Sequence, residues 1–288
     1  MRGLALISLA AVSWGTTGSV TTLLVARAGA TPLVIGAARM VVGAAVLLAL
    51  ARAAAPLRID RADRWRCLAL GVCMAGYQAA YFSAVTMTGI AIAALIAICS
   101  APLLIAVLAA VTLGERVTAR VAAALALGVA GTALLIVGPR TAADLSPRFL
   151  AGVGLALTAG LGYALYVVIA KATLARTAPL PQAGATFGVA ALVLAPLLAG
   201  PDAARQIALG WPWFLYLGAV TTAAAYAIYT IGLRDVPASV AGIVSLLEPL
   251  TATLLGVALF GERLGAAGAA GAVLLFAGLG VLLSREFA

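Results

Sequence analysis

The chain has 288 residues, 65% of them hydrophobic and 9% charged, at a mean hydropathy of +1.17; a soluble domain needs far more polar surface, so the bilayer is the solvent. The formal charge of +9 would point to nucleic acid in a soluble protein, but here the basic residues lie between apolar runs, where they set membrane orientation, and no nucleic-acid partner is expected. The sequence holds no histidine, the commonest metal ligand and usual general base, so no metal or other cofactor is expected and intramembrane catalysis is the remote alternative.

In chain order, apolar runs between charge and Gly/Pro punctuation predict spans near 4–26, 32–51, 66–87, 89–112, 119–137, 149–171, 182–199, 212–232, 236–259 and 264–283. The first run follows Arg2 and ends in Ala26-Arg27-Ala28, which imitates a signal-peptide cleavage site, but it is longer than a signal core and carries Trp14, so it reads as a retained helix. Cys67, Cys73 and Cys99 lie in apolar segments without C-x-x-C spacing and read as buried thiols. All loops are short, so no soluble domain is expected.

Arginine and lysine give the orientation. One side collects Arg2, Arg52, Arg58, Arg61, Arg64, Arg66, Arg116, Arg120, Lys171, Arg176, Arg234 and Arg285, the other only Arg27, Arg140, Arg148, Arg205 and Arg263. Twelve against five puts both termini in the cytoplasm, with Arg39 left inside a span. The expected location is the cell (inner) membrane, multi-pass, as a monomer in the lipid bilayer.

A constant offset of 147 superposes Pro102 on Pro249, Gly114-Glu115-Arg116 on Gly261-Glu262-Arg263, Gly131 on Gly278, Gly71 on Gly218, and Phe82-Ser83 on Tyr229-Thr230. The chain therefore reads as a duplicated five-helix unit, residues 1–138 and 149–284. Five is odd, so the second copy enters the membrane from the opposite side, which gives inverted repeats with a site near the midplane between them. The expected fold is an all-α integral membrane protein of ten transmembrane helices, two inverted five-helix repeats around a central cavity.

Trp14-Gly15, Arg39, Pro102 followed by Leu113-Gly114-Glu115-Arg116, and Glu248-Pro249 followed by Gly261-Glu262-Arg263 together resemble the drug/metabolite transporter superfamily, in its EamA family. Overall likeness is strongest to the YddG-type exporters of aromatic and other neutral amino acids. The resemblance implies ten helices, cytoplasmic termini and a cavity formed by the first four helices of each repeat, with the fifth and tenth helices peripheral.

Tyrosine and tryptophan in membrane proteins usually sit at the interfaces. Here Trp14, Tyr77, Tyr81, Tyr163, Tyr166, Tyr226 and Tyr229 fall near the middles of spans 1, 3, 6 and 8, where their polar tips need partners. Ser13, Thr16, Thr17, Gln78, Ser83, Thr221, Thr222, Ser100 and Ser245 accompany them. Rings alternating with hydroxyls suit a half-apolar, zwitterionic solute; interhelical packing explains any one residue as well, but the convergence of four helices favours a cavity. The candidate lining is Trp14, Tyr77, Gln78, Tyr81, Ser100, Tyr163, Tyr166, Tyr226 and Ser245.

Glu248 lies in mid-span and must be neutralised, paired or hydrated there. It can carry a proton during transport, pair with Arg39, or accept amide hydrogen bonds beside the break that Pro249 imposes; the first-repeat equivalent is Ala101, so its role is asymmetric. Pro102 and Pro249 are expected to mark bendable or broken helices that serve gating, the two G-E-R motifs to cap helices or pair at the interface, and the glycine steps at Gly128 and Gly131 and at Gly265, Gly268 and Gly271 to pack helices closely. The expected function is a secondary transporter that exports small neutral amino acids, aromatic ones included, by alternating access, either as a uniporter or coupled to protons. The alternative is an exporter of organic cations with Glu248 as the cation or proton site.

Overall fold

A computed structural model describes residues 1–54, 58–137, 146–260 and 265–283. Lipid offers no partner to a bare backbone group, so the chain crosses it as helices. Spans 1 to 5 are α1 (Arg2–Gly15) with α2 (Thr17–Ala28), α3 (Pro32–Ala54), α4 (Arg64–Thr88), α5 (Ile90–Leu113) and α6 (Ala119–Val137). Spans 6 to 10 are α7 (Pro147–Thr173), α8 (Pro179–Leu194), α9 (Ala203–Gly218) with α10 (Ala225–Asp235), α11 (Ala238–Val244) with α12 (Leu247–Phe260), and α13 (Ala266–Leu283). Eight of these rods are long and apolar enough to span a membrane, and the described parts of the fifth and tenth are shorter apolar helices.

The ten spans fall where the hydropathy pattern puts them, except that the eighth starts at Ala203 rather than near 212. Pro212, which marks a helix start in the sequence, lies inside α9. The added turns carry Arg205 and Gln206, which depress hydropathy; the Gln206 side-chain carbonyl accepts the Thr31 N–H at 3.0 Å and so ties the turns to the start of α3.

Helix pairing obeys a two-fold rule. The contact of α4 with α7 has its counterpart in α10 with α1, that of α4 with α8 in α9 with α3, and that of α5 with α7 in α12 with α1. Three pairs map onto themselves: α3 with α8, α5 with α11, and α6 with α13. With five spans per copy, this pattern describes inverted repeats related by an axis in the membrane plane.

The repeated glycines sit at mirror-related crossings. A Cβ on Gly71 would meet Val189, and one on Gly218 would meet Val42; the two valines are themselves 147 apart. At the crossing of α6 and α13, a Cβ on Gly131 would lie 2.6 Å from the Gly271 carbonyl and one on Gly278 3.0 Å from that of Ala124, again 147 apart. Small residues allow backbones to approach this closely, and in lipid such packing replaces the hydrophobic drive. Gly265 takes no part, because nothing lies within 4 Å of its added Cβ.

Polar ties gather at one face of the bundle, where Met1 and Leu282 of α13 line a common cleft. Asp63, fully buried, accepts from Arg66 at 3.0 Å, from Arg176 at 2.6 Å and from Thr177 at 3.1 Å, joining the start of α4 to the turn between α7 and α8. Glu115 of the first G-E-R reaches across the repeats and caps α11, accepting the Ala238 and Ser239 amides at 2.6 and 3.0 Å and the Ser239 hydroxyl at 2.6 Å. Lys171 Nζ donates to the Leu233 and Arg234 carbonyls at 2.9 Å each, at the end of α10. The second G-E-R, Gly261-Glu262-Arg263, lies outside the described residues, as do Arg140 and Arg285.

Two substitutions test this framework. Gly131→Leu overfills the α6–α13 crossing and should destabilise by about 1–3 kcal/mol, and Glu115→Ala uncaps α11 and should cost about 1–2 kcal/mol. Both are read as a lowered unfolding temperature of the detergent-purified protein.

Candidate functional site

Two spans depart locally from regular α-geometry while their backbone stays right-handed helical, in addition to the eighth, which widens between α9 and α10. In the first, Thr16 separates α1 from α2: its amide and its hydroxyl both turn back to the Ser13 carbonyl, at 3.2 and 2.7 Å, and the hydroxyl meets Tyr216 OH at 2.9 Å. In the ninth, Ser245 and Leu246 separate α11 from α12, with the Leu246 and Glu248 amides bonded to the carbonyls three residues back at 3.1 and 3.0 Å. Pro249 explains the location, since its ring crowds the carbonyl four residues earlier, that of Ser245, and it offers no N–H.

Pro102 stands in a different local setting from Pro249. It lies inside α5, which runs unbroken from Ile90 to Leu113, so it breaks no helix. A proline removes one backbone bond and crowds the carbonyl one turn back, here that of Ile98, which is where a helix bends most readily.

The two interruptions are neighbours. A Cβ on Gly15 would lie 2.8 Å from the Glu248 carbonyl and would strike Thr251, so α1 reaches α12 backbone to backbone beside Thr16. Glycine is required at this point because any side chain would push the two breaks apart.

Around this crossing the mid-span aromatics form one connected set. Trp14 has Tyr226 at 4.8 Å between ring centres, Tyr229 at 5.2 Å and Tyr163 at 6.4 Å. Tyr163 continues to Tyr77 at 5.6 Å and Tyr166 at 6.0 Å, and Tyr77 stacks on Tyr81 at 6.2 Å. Phe187 of α8 closes the set against Tyr226 at 4.5 Å. Phe187 escapes a reading of the sequence because it has no polar tip to set it apart from packing residues.

Polar groups line the same region. The Tyr163 and Tyr229 hydroxyls lie near each other and near Ser245, and among the described residues both are buried without a hydrogen-bond partner. Trp14 Nε1 and Gln78 Nε2 are buried donors with no protein partner, as are the hydroxyl oxygens of Ser13 and Thr17 beside the first break. The Ser100 hydroxyl donates to the Ala97 carbonyl at 3.3 Å and faces Gly160 of α7; Ala97, one turn away, packs in a cluster with Tyr77 and Tyr81.

Arg39 and Glu248 supply the charge. Arg39, 8% exposed, donates Nε to the Thr222 hydroxyl at 3.1 Å. Thr222 stands in a π-helical stretch, Ala219–Ala224, between α9 and α10, and it passes its own proton to the Leu217 carbonyl at 2.9 Å. The wide turn, a feature often found at functional sites, aims a hydroxyl lone pair at Arg39; nothing in the sequence beyond the Thr221-Thr222 pair signals it. Glu248 is half-buried in the first turn of α12 and makes no ion pair with Arg39 within 4.0 Å, although each lies near enough for its charge to act on Tyr77, Tyr81 and Tyr226. Among the described residues no amide hydrogen bond to the Glu248 side chain is found either. Among the described residues no three His, Cys, Asp or Glu side chains gather as a metal set.

Comparison with known proteins matches residues 1–137 and 150–284 to the EamA-like transporter family. The uncharacterized transporter YwfM of Bacillus subtilis (strain 168) is 38% identical over 278 residues, which cover 96% of this chain and 92% of that protein. A solved crystal structure superposes with a TM-score of 0.82 at 25% identity, over 99% of this chain and 98% of the other.

Trp14 is the hub of the ring set, so Trp14→Ala should cost about 3–5 kcal/mol of stability, while Trp14→Phe should retain most of it. Unfolding temperatures of the two purified variants check this; equal losses would contradict the hub.

Proposed function

Because the chain belongs to the EamA-like transporter family, we propose that it exports small neutral amino acids, aromatic ones among them, across the cell (inner) membrane by alternating access. The observation that carries this reading is the connected ring set of Trp14, Tyr77, Tyr163, Tyr166 and Tyr226 at the crossing of two interrupted helices, with one cation and one anion beside it. Aromatic faces stack on an apolar side chain, and polar tips and charges meet an amino and a carboxyl group. Tyr81 and Ser245 extend the proposed lining.

The two-fold helix pairing supports alternating access, since rocking one repeat against the other exchanges equivalent contacts on the two faces. The interrupted ninth span at Pro249 gives that movement a compliant point. The charge bias supports cytoplasmic termini, and the protein acts as a monomer in this reading. A second reading, export of organic cations, is favoured by the half-buried, unpaired Glu248 among aromatic rings.

Flux in proteoliposomes separates these. Wild-type protein should carry radiolabelled tryptophan, phenylalanine, methionine or threonine, with competition by the aromatic ones. Flux that a pH gradient drives in wild type, and that persists in Glu248→Gln without responding to the gradient, assigns proton coupling; wild-type flux indifferent to the gradient assigns uniport. Folded protein that carries aromatic cations and no amino acid would overturn the amino-acid reading.

A further inference from the structure

We propose that Arg39 and Glu248 grip the two ends of one zwitterion: the Arg39 guanidinium takes the α-carboxylate, the Glu248 carboxylate takes the ammonium group, and the ligand's side chain lies among the rings. This rests on the amino-acid reading above and adds the orientation of the ligand and the basis on which other solutes are refused.

Opposite charges placed in a membrane interior are expected to collapse into contact, because each is costly alone. Arg39 and Glu248 do not: the ion pairs among the described residues join Asp63 to Arg66 and Arg176. Arg39 is held off by its own anchor. Thr222 spends its proton on the Leu217 carbonyl and so receives Arg39 Nε, which leaves the two terminal Nη groups as a fork of the kind that takes a carboxylate bidentately. Glu248 is held off by the ninth-span break, which fixes it in the first turn of α12 against the backbone of α1 at Gly15.

The remaining polar inventory complements the same ligand. Trp14 Nε1 and Gln78 Nε2 are buried donors without protein partners, suited to carboxylate oxygens, while Glu248 supplies the anionic acceptor. Both charges act on Tyr77, Tyr81 and Tyr226, so the grip and the ring set share one place. A zwitterion satisfies both ends at no change in net charge. An amine leaves the Arg39 fork unpaired and a simple acid leaves Glu248 unpaired, and a buried unpaired group is what makes a polar site refuse an incomplete ligand.

The test is calorimetric binding of L-phenylalanine, phenethylamine and 3-phenylpropionate to the full-length purified protein. Wild type should bind phenylalanine at least about tenfold more tightly than either analogue. Arg39→Gln should narrow the gap to the amine, and Glu248→Gln the gap to the acid, a reciprocal swap that a merely structural role would not produce. Arg39→Lys, which keeps the charge without the fork, should retain the order of preference with weaker binding. Wild-type affinity for the amine or the acid within about threefold of that for phenylalanine, or variants that keep the wild-type preference, would overturn the grip while leaving amino-acid transport standing. Where a variant fails to fold, the wild-type series decides alone. Absence of binding for phenylalanine, tryptophan and methionine alike would overturn the amino-acid reading and the grip with it.

Discussion

Backbone hydrogen bonding in a medium that offers none is the constraint on which the rest of this structure depends. A helix satisfies its own peptide groups, so an interruption survives in the membrane only where protein covers it or where it lines a polar space. Two spans nevertheless leave regular α-geometry, at Thr16 and at Ser245–Leu246, and each keeps its groups satisfied locally through bonds to the third carbonyl back and through hydroxyls that return to the chain. The two irregular turns lie together: Gly15 lets the first lie against the second, and rings and unpartnered donors surround the junction.

The two-fold symmetry sets the frame and the departures from it make the site. Gly71 with Gly218, and Gly131 with Gly278, do the same work in both copies, and they hold the repeats at crossings too tight for any larger residue. Departures cluster at the centre. Ala101 stands where the second copy has Glu248, and α5 runs through Pro102 where the ninth span breaks before Pro249. The stretch Ala219–Ala224 widens into a π-turn, while its counterpart 72–77 lies in the regular helix α4. These departures leave the ring set of Trp14, Tyr77 and Tyr226 without two-fold symmetry, with one cation, Arg39, and one anion, Glu248, beside it.

How much of this was legible in the sequence follows from the range of the interactions. Spans, the offset of 147 and the mid-span aromatics are carried by composition along short windows, and the structure gathers Trp14, Tyr77, Tyr81, Tyr163, Tyr166 and Tyr226 into one set. The irregular turn at Thr16 carries no proline, and its hydroxyl meets Tyr216, 200 residues away. Asp63 looks like a loop acid among arginines until Arg176 and Thr177 bury it. The eighth span hides its first turns because Arg205 and Gln206 lower their hydropathy, and Gln206 is polar for a reason outside that helix. Identical local signals also diverge: Pro102 and Pro249 read alike, and only packing separates a tolerated proline from a break.

The central claim, that the ligand site is the junction of the two interruptions, is tested most directly by hydrogen exchange of the protein in lipid nanodiscs with and without L-phenylalanine. The account predicts slower exchange at the amides of Thr16 and of Leu246 to Glu248, with α6 and α13 unchanged. Ligand-dependent protection confined to helices away from both interruptions would contradict it.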